Sequence, residues 1–261
     1  MEIRHPLDTR LSGLLRGNSR LRGVFSGLPS PAIVEMCAYA GFEFIIIDNE
    51  HGCADLETTE NMLRAARASG IIAVVRCLPH DLSRVLDMGA GAVQIPMVST
   101  ATQARELVEQ VRYPRVGRRG SAFSSRAAGY GAFGGMEHTT RSNEGIALIP
   151  MIETPEGVEN AQVIASVEGV DAVFVGPNDL AHAMGYDNNW TSQPVEAAIE
   201  KALRAIASTG KCAGTVALTP EAEDKYAAWG ARYFANVATS IITQALRKAA
   251  SRGQDGISIQ Y

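Results

Sequence analysis

Short apolar runs that do not alternate with polar residues recur along this chain. They read FIII (Phe44 to Ile47), IIAVV (Ile71 to Val75), AVQI (Ala92 to Ile95), IALIPMI (Ile146 to Ile152) and AVFV (Ala172 to Val175). A strand that is apolar on both faces must be buried on both faces. That requires a parallel sheet with helices outside it. Weaker candidates at Leu21 to Phe25, Cys212 to Val216 and Arg232 to Ala235 bring the series to about eight strands.

Helical signals fill the gaps. Ser30 and Pro31 form a cap and first turn for a helix running to Ala40, where Gly41 stops it. Further helices are expected over Glu57 to Ser69, Asp81 to Met88, Thr100 to Val111, Thr154 to Val167, Pro194 to Thr209, Glu221 to Trp229 and Ser240 to Ala250. Pro6 to Arg16 reads as a short amphipathic helix, a lid on a core. Eight strand-helix units within 261 residues predict an α/β fold, a (β/α)8 TIM barrel. The barrel is expected to form one domain over 1–261, with the short N-terminal helical segment. An open doubly wound sheet is the rival, but no GxGxxG loop follows the first strand. The rhythm breaks after the fourth β/α unit. Tyr113 to Glu144 is rich in Gly, Ser and Arg, and connections this long are usually functional or mobile. An excursion is expected there, with a short helix and subunit contacts, shaping the substrate pocket.

Net charge is −4, with both signs mixed along the chain. No basic tract favours nucleic acid or a membrane surface. No apolar run reaches membrane length and no signal peptide is evident, so a cytoplasmic location is expected. Cys37, Cys53, Cys77 and Cys212 are isolated, without zinc spacing, and read as buried free thiols.

In a barrel, residues just past the C-terminal strand ends share one mouth. Those residues are Asp48, Glu50, His51, Arg76, Gln94, Glu153, Asn178, Asp179 and Thr215. Glu153 and Asp179 end consecutive strands and could hold one divalent cation, Mg²⁺ or Mn²⁺, between them. An arginine offers a planar fork to a carboxylate and stabilises a developing enolate. A histidine can move a proton near neutral pH. This set suits proton or carbon–carbon chemistry beside a carbonyl. Of the four lysines (Lys201, Lys211, Lys225, Lys248), none follows a strand, which argues against a Schiff-base aldolase. Gly176-Pro177-Asn178-Asp179 reads either as an ordinary tight turn or as one whose amides receive a carboxylate.

These stretches resemble the HpcH/HpaI family of metal-dependent (class II) pyruvate aldolases, within the phosphoenolpyruvate/pyruvate barrel superfamily. The resemblance rests on FIIIDNEHG, VVRC, VLDMGAGAVQIPMV, YPRVGRRG, MIETPEGVEN and GVDAVFVGPNDLAHAMG. It implies reversible cleavage of 4-hydroxy-2-oxo acids, sugar-acid derived or dicarboxylic, to pyruvate and an aldehyde, as in aromatic compound catabolism. It implies Glu153 and Asp179 as ligands of Mg²⁺, Mn²⁺ or Co²⁺, and Arg76 as the residue that binds pyruvate and its enolate. It makes His51 the residue that handles the proton, with Asp87 as its paired carboxylate and Asp48 as a further acid of the site. Met151, Gly176, Pro177, Asn178, Asp179 and Val216 would contact the substrate. A homo-oligomer, a hexamer built from dimers that exchange the last helix, is the implied assembly. Two departures stand out: Met151 where the family usually has glutamine, and Arg115 in Tyr113-Pro114-Arg115 where it usually has a second proline. Oxaloacetate decarboxylation through the same pyruvate enolate remains an alternative activity, and a non-catalytic binding barrel an alternative class.

Overall fold

The structure, a computed structural model, describes residues 5–251. Eight parallel strands close on themselves: β1 (Leu21–Ser26), β2 (Phe44–Asp48), β3 (Ile72–Arg76), β4 (Ala92–Ile95), β5 (Ala147–Ile152), β6 (Ala172–Val175), β7 (Cys212–Val216) and β8 (Ala231–Val237). The closing pair sets Leu21 of β1 against Tyr233 of β8. The helices are α1 (Arg10–Arg16), α2 (Pro31–Tyr39), α3 (Leu56–Ser69), α4 (Leu82–Asp87), α5 (Ala101–Val111), α6 (Gly135–Gly145), α7 (Pro155–Glu159), α8 (Ala161–Ala165), α9 (Pro177–Ala183), α10 (Gln193–Ser208), α11 (Pro220–Ala228) and α12 (Ala238–Ala250).

The doubly apolar strands divide their side chains as a barrel requires. Ile46, Val74, Ile149, Phe174 and Tyr233 pack inside it. Their neighbours Ile45, Ile47, Val75, Leu148 and Val173 pack outward against the helices. The interior is filled by large rings set against small residues. Phe44 stacks on Tyr233 with centroids 4.2 Å apart, a contact worth about 1 kcal/mol beyond its buried area. A Cβ on Gly23 would intrude on the Phe44 ring, so glycine is the residue that fits. From α1, Leu11 and Leu15 join this interior cluster and plug the N-terminal end of the barrel.

Local signals set most helix ends. The Ser30 side chain accepts the Ala32 N–H, with Pro31 in the first turn. Thr100 and Gln103 complete a reciprocal capping box at the start of α5. Gly70 ends α3 in the left-handed conformation, φ 85°.

Several expectations need correction. The opening helix starts at Arg10 rather than Pro6, because Asp8 accepts the Arg10 N–H and turns the chain there. The helix expected over Thr154 to Val167 is two short helices broken at Asn160, whose side chain donates to the Ser99 carbonyl at 2.8 Å. The tight turn expected at Gly176 is a helix start: Gly176 precedes α9 and Pro177 is its first residue. Strand β3 runs one residue further than expected, to Arg76.

The excursion contains a short 3₁₀ stretch at Arg126–Gly131 and then α6. It follows α5, whose C-terminal end lies at the N-terminal end of the strands, so the excursion packs at the plugged end against α1 and α4. Arg126 donates to the Met88 carbonyl at 2.6 Å and thereby ties the excursion to α4. Cys53 is exposed, contrary to expectation, whereas Cys37, Cys77 and Cys212 are buried free thiols. Among the described residues, no helix is long and apolar enough to cross a membrane.

Candidate active site

At the C-terminal ends of the strands a pocket of about 400 Å³ opens. Its wall includes Asp48, His51, Arg76, Met151, Glu153, Gly176, Pro177, Asn178, Asp179 and Val216. Residues from β2, β3, β5, β6 and β7 therefore meet at one place, although they span almost 170 positions of sequence.

Arg76 is the last residue of β3 and is almost fully buried. Its Nε donates to Asp48 Oδ1 at 2.8 Å and its second nitrogen, Nη2, to Oδ2 at 2.5 Å. Register explains the pairing, because Asp48 lies opposite Arg76 across β2 and β3. The remaining nitrogen, Nη1, stands 3.3 Å from Glu50 Oε2. Burial works against ionisation of Asp48, but Arg76 and the amides of His51 and Glu50 outweigh it and hold its pKa below the usual range. Burial also disfavours the Arg76 charge, yet Asp48, Glu50 and Glu153 together raise its pKa. The arginine is thus a permanently charged fork on the pocket wall, held by Asp48 and flanked by Glu50.

Glu153 sits in the loop after β5 and is 2 % exposed. Its Oε2 accepts the Met97 N–H at 2.7 Å. Met97 holds φ 59°, a left-handed conformation unusual for methionine. Burial pushes the Glu153 pKa up to about 7, with Asp179 and Glu50 adding repulsion and the Met97 amide opposing it. A Cβ on Gly176 would fall 2.8 Å from Glu153 Oε1, so the absence of a side chain there leaves the carboxylate its space.

A divalent cation fits these residues. A buried carboxylate, Glu153, repelled by the half-buried Asp179 offers oxygen donors to a hard ion, and an ion between them would relieve that repulsion. Among the described residues, no group of three or more His, Cys, Asp or Glu side chains gathers as a metal site. Glu153 and Asp179, both on the pocket wall, are the two carboxylates that could hold such an ion.

The remaining candidates separate. His51 stands at the rim with its side chain 63 % exposed and Nε2 3.9 Å from Glu50 Oε2. Asp87 is not beside it. Asp87 ends α4 outside the barrel, where Arg119 of the excursion donates to its Oδ1 at 2.9 Å. Among the described residues of one chain, no hydrogen bond or ion pair joins Asp87 to His51. Thr215 also leaves the set: β7 turns Val216 to the pocket and Thr215 outward, where its hydroxyl donates to the Val175 carbonyl at 3.0 Å. The four lysines do not line the pocket. Lys201 and Lys225 pair with Glu159 and Glu196, and Lys211 donates to the Val170 carbonyl.

Residues 113–144 do not line the pocket either, so within one chain the excursion does not shape it. Arg115 instead borders a cleft at the plugged end with Arg16, Asp171 and Lys211. Beside Met151 and Val216, the pocket's apolar walls include residues that strand-end reasoning missed: Phe25, Leu28, Phe174, Trp190 and Val237. Trp190, alone in a polar loop, was the detectable signal. Phe25 and Phe174 read only as core.

The HpcH/HpaI aldolase/citrate lyase family model matches residues 21–242. A hydroxypyruvate/pyruvate aldolase of Deinococcus radiodurans is 37 % identical over 255 residues, covering 96 % of this chain and 91 % of that protein. A 2-keto-3-deoxy-L-rhamnonate aldolase of Klebsiella pneumoniae is 36 % identical, covering 90 % and 88 % respectively. The crystal structure of an HpcH/HpaI aldolase/citrate lyase family protein from Burkholderia cenocepacia superimposes with a TM-score of 0.88 at 31 % identity, covering 94 % of this chain and 98 % of that one.

Proposed function

The chain belongs to the HpcH/HpaI aldolase/citrate lyase family and is a carbon–carbon lyase for small oxo acids. From that premise we propose that it cleaves 4-hydroxy-2-oxo acids reversibly into a 2-oxo acid and an aldehyde. The 2-oxo acid is pyruvate, or the hydroxypyruvate that appears in the names of its relatives. The observation that carries this reading is the meeting of Arg76, forked on Asp48, with the Glu153 and Asp179 acid pair in one pocket.

Each residue has a task in this reading. Asp48 locks the guanidinium, and Arg76 binds the oxo acid and stabilises negative charge as it develops on the oxo oxygen. The first-turn amides of Asn178 and Asp179, which have no acceptor four residues back in α9, receive the carboxylate, with Gly176 and Pro177 shaping that turn. Met151 and Val216 wall the oxo acid. Glu153 and Asp179 would hold a divalent cation, Mg²⁺, Mn²⁺ or Co²⁺. When bound, the cation supplies Lewis-acid polarisation of the oxo group. His51, exposed at the rim, moves the proton between the 4-hydroxyl and solvent. Asp87 keeps a role only if it reaches His51 of a second copy. Such an assembly, a hexamer in this proposal, agrees with α12, whose Ile241 and Leu246 are exposed apolar residues on a helix with only Ala238 buried.

The test is pyruvate release from a panel of 4-hydroxy-2-oxo acids, with Mg²⁺ or Mn²⁺ and after exhaustive chelation. Metal-dependent release is expected. Cleavage that survives complete metal removal would refute the mechanism, and oxaloacetate turnover far exceeding every aldol cleavage would assign the site to decarboxylation.

A further inference from the structure

The reaction above leaves Gln94, a polar residue of the barrel interior, unused. On β4, Ala92 belongs to the interior cluster while Val93 and Ile95 pack against the helices. Gln94 therefore points inward, and it is fully buried. Both of its sheet neighbours reach the pocket. Arg76 is its register partner on β3. From β5, Met151 accepts a hydrogen bond from Gln94 Nε2, with the sulfur 3.0 Å away. Both line the pocket wall.

This arrangement is unsatisfied. A thioether is a weak acceptor, and Gln94 Oε1 is buried without any hydrogen-bond partner. A buried, unpaired amide oxygen destabilises a fold unless something meets it. The Met151 side chain that meets the amide also lines the pocket, and it is unbranched with three rotatable bonds. An apolar residue at 94 would have packed there without this cost.

Resting on the aldolase reading, we infer that Gln94 determines which 2-oxo acid the site accepts. With the thioether of Met151 turned aside, Gln94 Oε1 accepts a hydrogen bond from a hydroxyl on the carbon next to the oxo group. Arg76 fixes the oxo oxygen one strand away, so that carbon is held beside the amide. The site then takes a 3-hydroxy-2-oxo acid in preference to pyruvate, which presents only a methyl group there.

The experiment measures dissociation constants for hydroxypyruvate and pyruvate by calorimetry, with Mg²⁺ present, for the unsubstituted protein and for Gln94→Leu. Exchange of the C3 hydrogens for solvent deuterium is followed alongside by NMR. Hydroxypyruvate is expected to bind about tenfold more tightly than pyruvate in the unsubstituted protein, and the ratio to fall to about one in Gln94→Leu. Gln94→Met, which keeps the length and removes the amide, gives the same loss should leucine disturb folding. An equal ratio in the unsubstituted protein, or a ratio that survives removal of the amide, overturns the inference while deuterium exchange leaves the aldolase reading standing. Exchange of neither oxo acid by the unsubstituted protein overturns that reading and this inference with it.

Discussion

Replacing Glu153 with glutamine should make the metal-free protein more stable at pH 8, although it removes a residue of the site. The Glu153 carboxyl titrates at about 7 rather than 4.5 because it is buried near Asp179 and Glu50. The folded state therefore holds this proton more tightly than the unfolded chain. The associated stability is fully present below pH 4.5 and is lost as pH rises through about 7. A displacement of that size corresponds to about 3 kcal/mol, most of it lost between pH 5 and 8. Glutamine carries no charge and its amide oxygen can still accept the Met97 N–H. In EDTA at pH 8, Glu153→Gln should melt about 5–10 °C above the unsubstituted protein, and the gap should close at pH 5. Adding Mn²⁺ at pH 8 should raise the melting temperature of the unsubstituted protein and leave that of the variant unmoved. Scanning fluorimetry in these conditions provides the assay. A variant that is no more stable at pH 8, or that responds to Mn²⁺ as the unsubstituted protein does, would refute the electrostatic account of the acid pair.

Arg76→Lys keeps the charge but loses the two-pronged bond to Asp48, and kcat/KM for oxo-acid cleavage should fall about 100-fold or more in steady-state assays. Gly176→Ala places a Cβ 2.8 Å from Glu153 Oε1, so Mn²⁺ affinity measured by calorimetry should fall about tenfold while the far-UV circular dichroism spectrum is kept. The Tyr233 hydroxyl is fully buried without a partner. Tyr233→Phe should therefore be neutral or stabilising by about 1 kcal/mol in urea unfolding, and a loss of more than that would reveal a partner for the hydroxyl.

The strands were legible because burial on both faces leaves a continuous apolar run, and a parallel sheet closed by helices is the arrangement that burial permits. That Glu153 and Asp179 reach one pocket was legible for the same reason: each follows such a run. Helix ends announced by Ser30, Gly70 and Thr100 followed from chemistry within a few residues of each end. The break at Asn160 was not legible, because it depends on a hydrogen bond to Ser99 about sixty positions away.

Distance in sequence marks the limit elsewhere too. Asp48 opposite Arg76, and Gln94 against Met151, are consequences of strand register, which no local pattern encodes. Inward or outward facing at a strand end separates Val216 from Thr215 and is fixed by the pleat of the closed barrel. Asp87 is turned to Arg119 by the path of the excursion. The order of apolar and polar residues along the chain determined the barrel and which end of it carries the acids, arginine and histidine of the pocket, since burial and helix capping act over a few neighbours. The closed tertiary structure alone decided which side chains meet at that end, and how far their pKa values and hydrogen bonds depart from those of free residues. Those properties arise from groups brought together across the barrel and shut away from water.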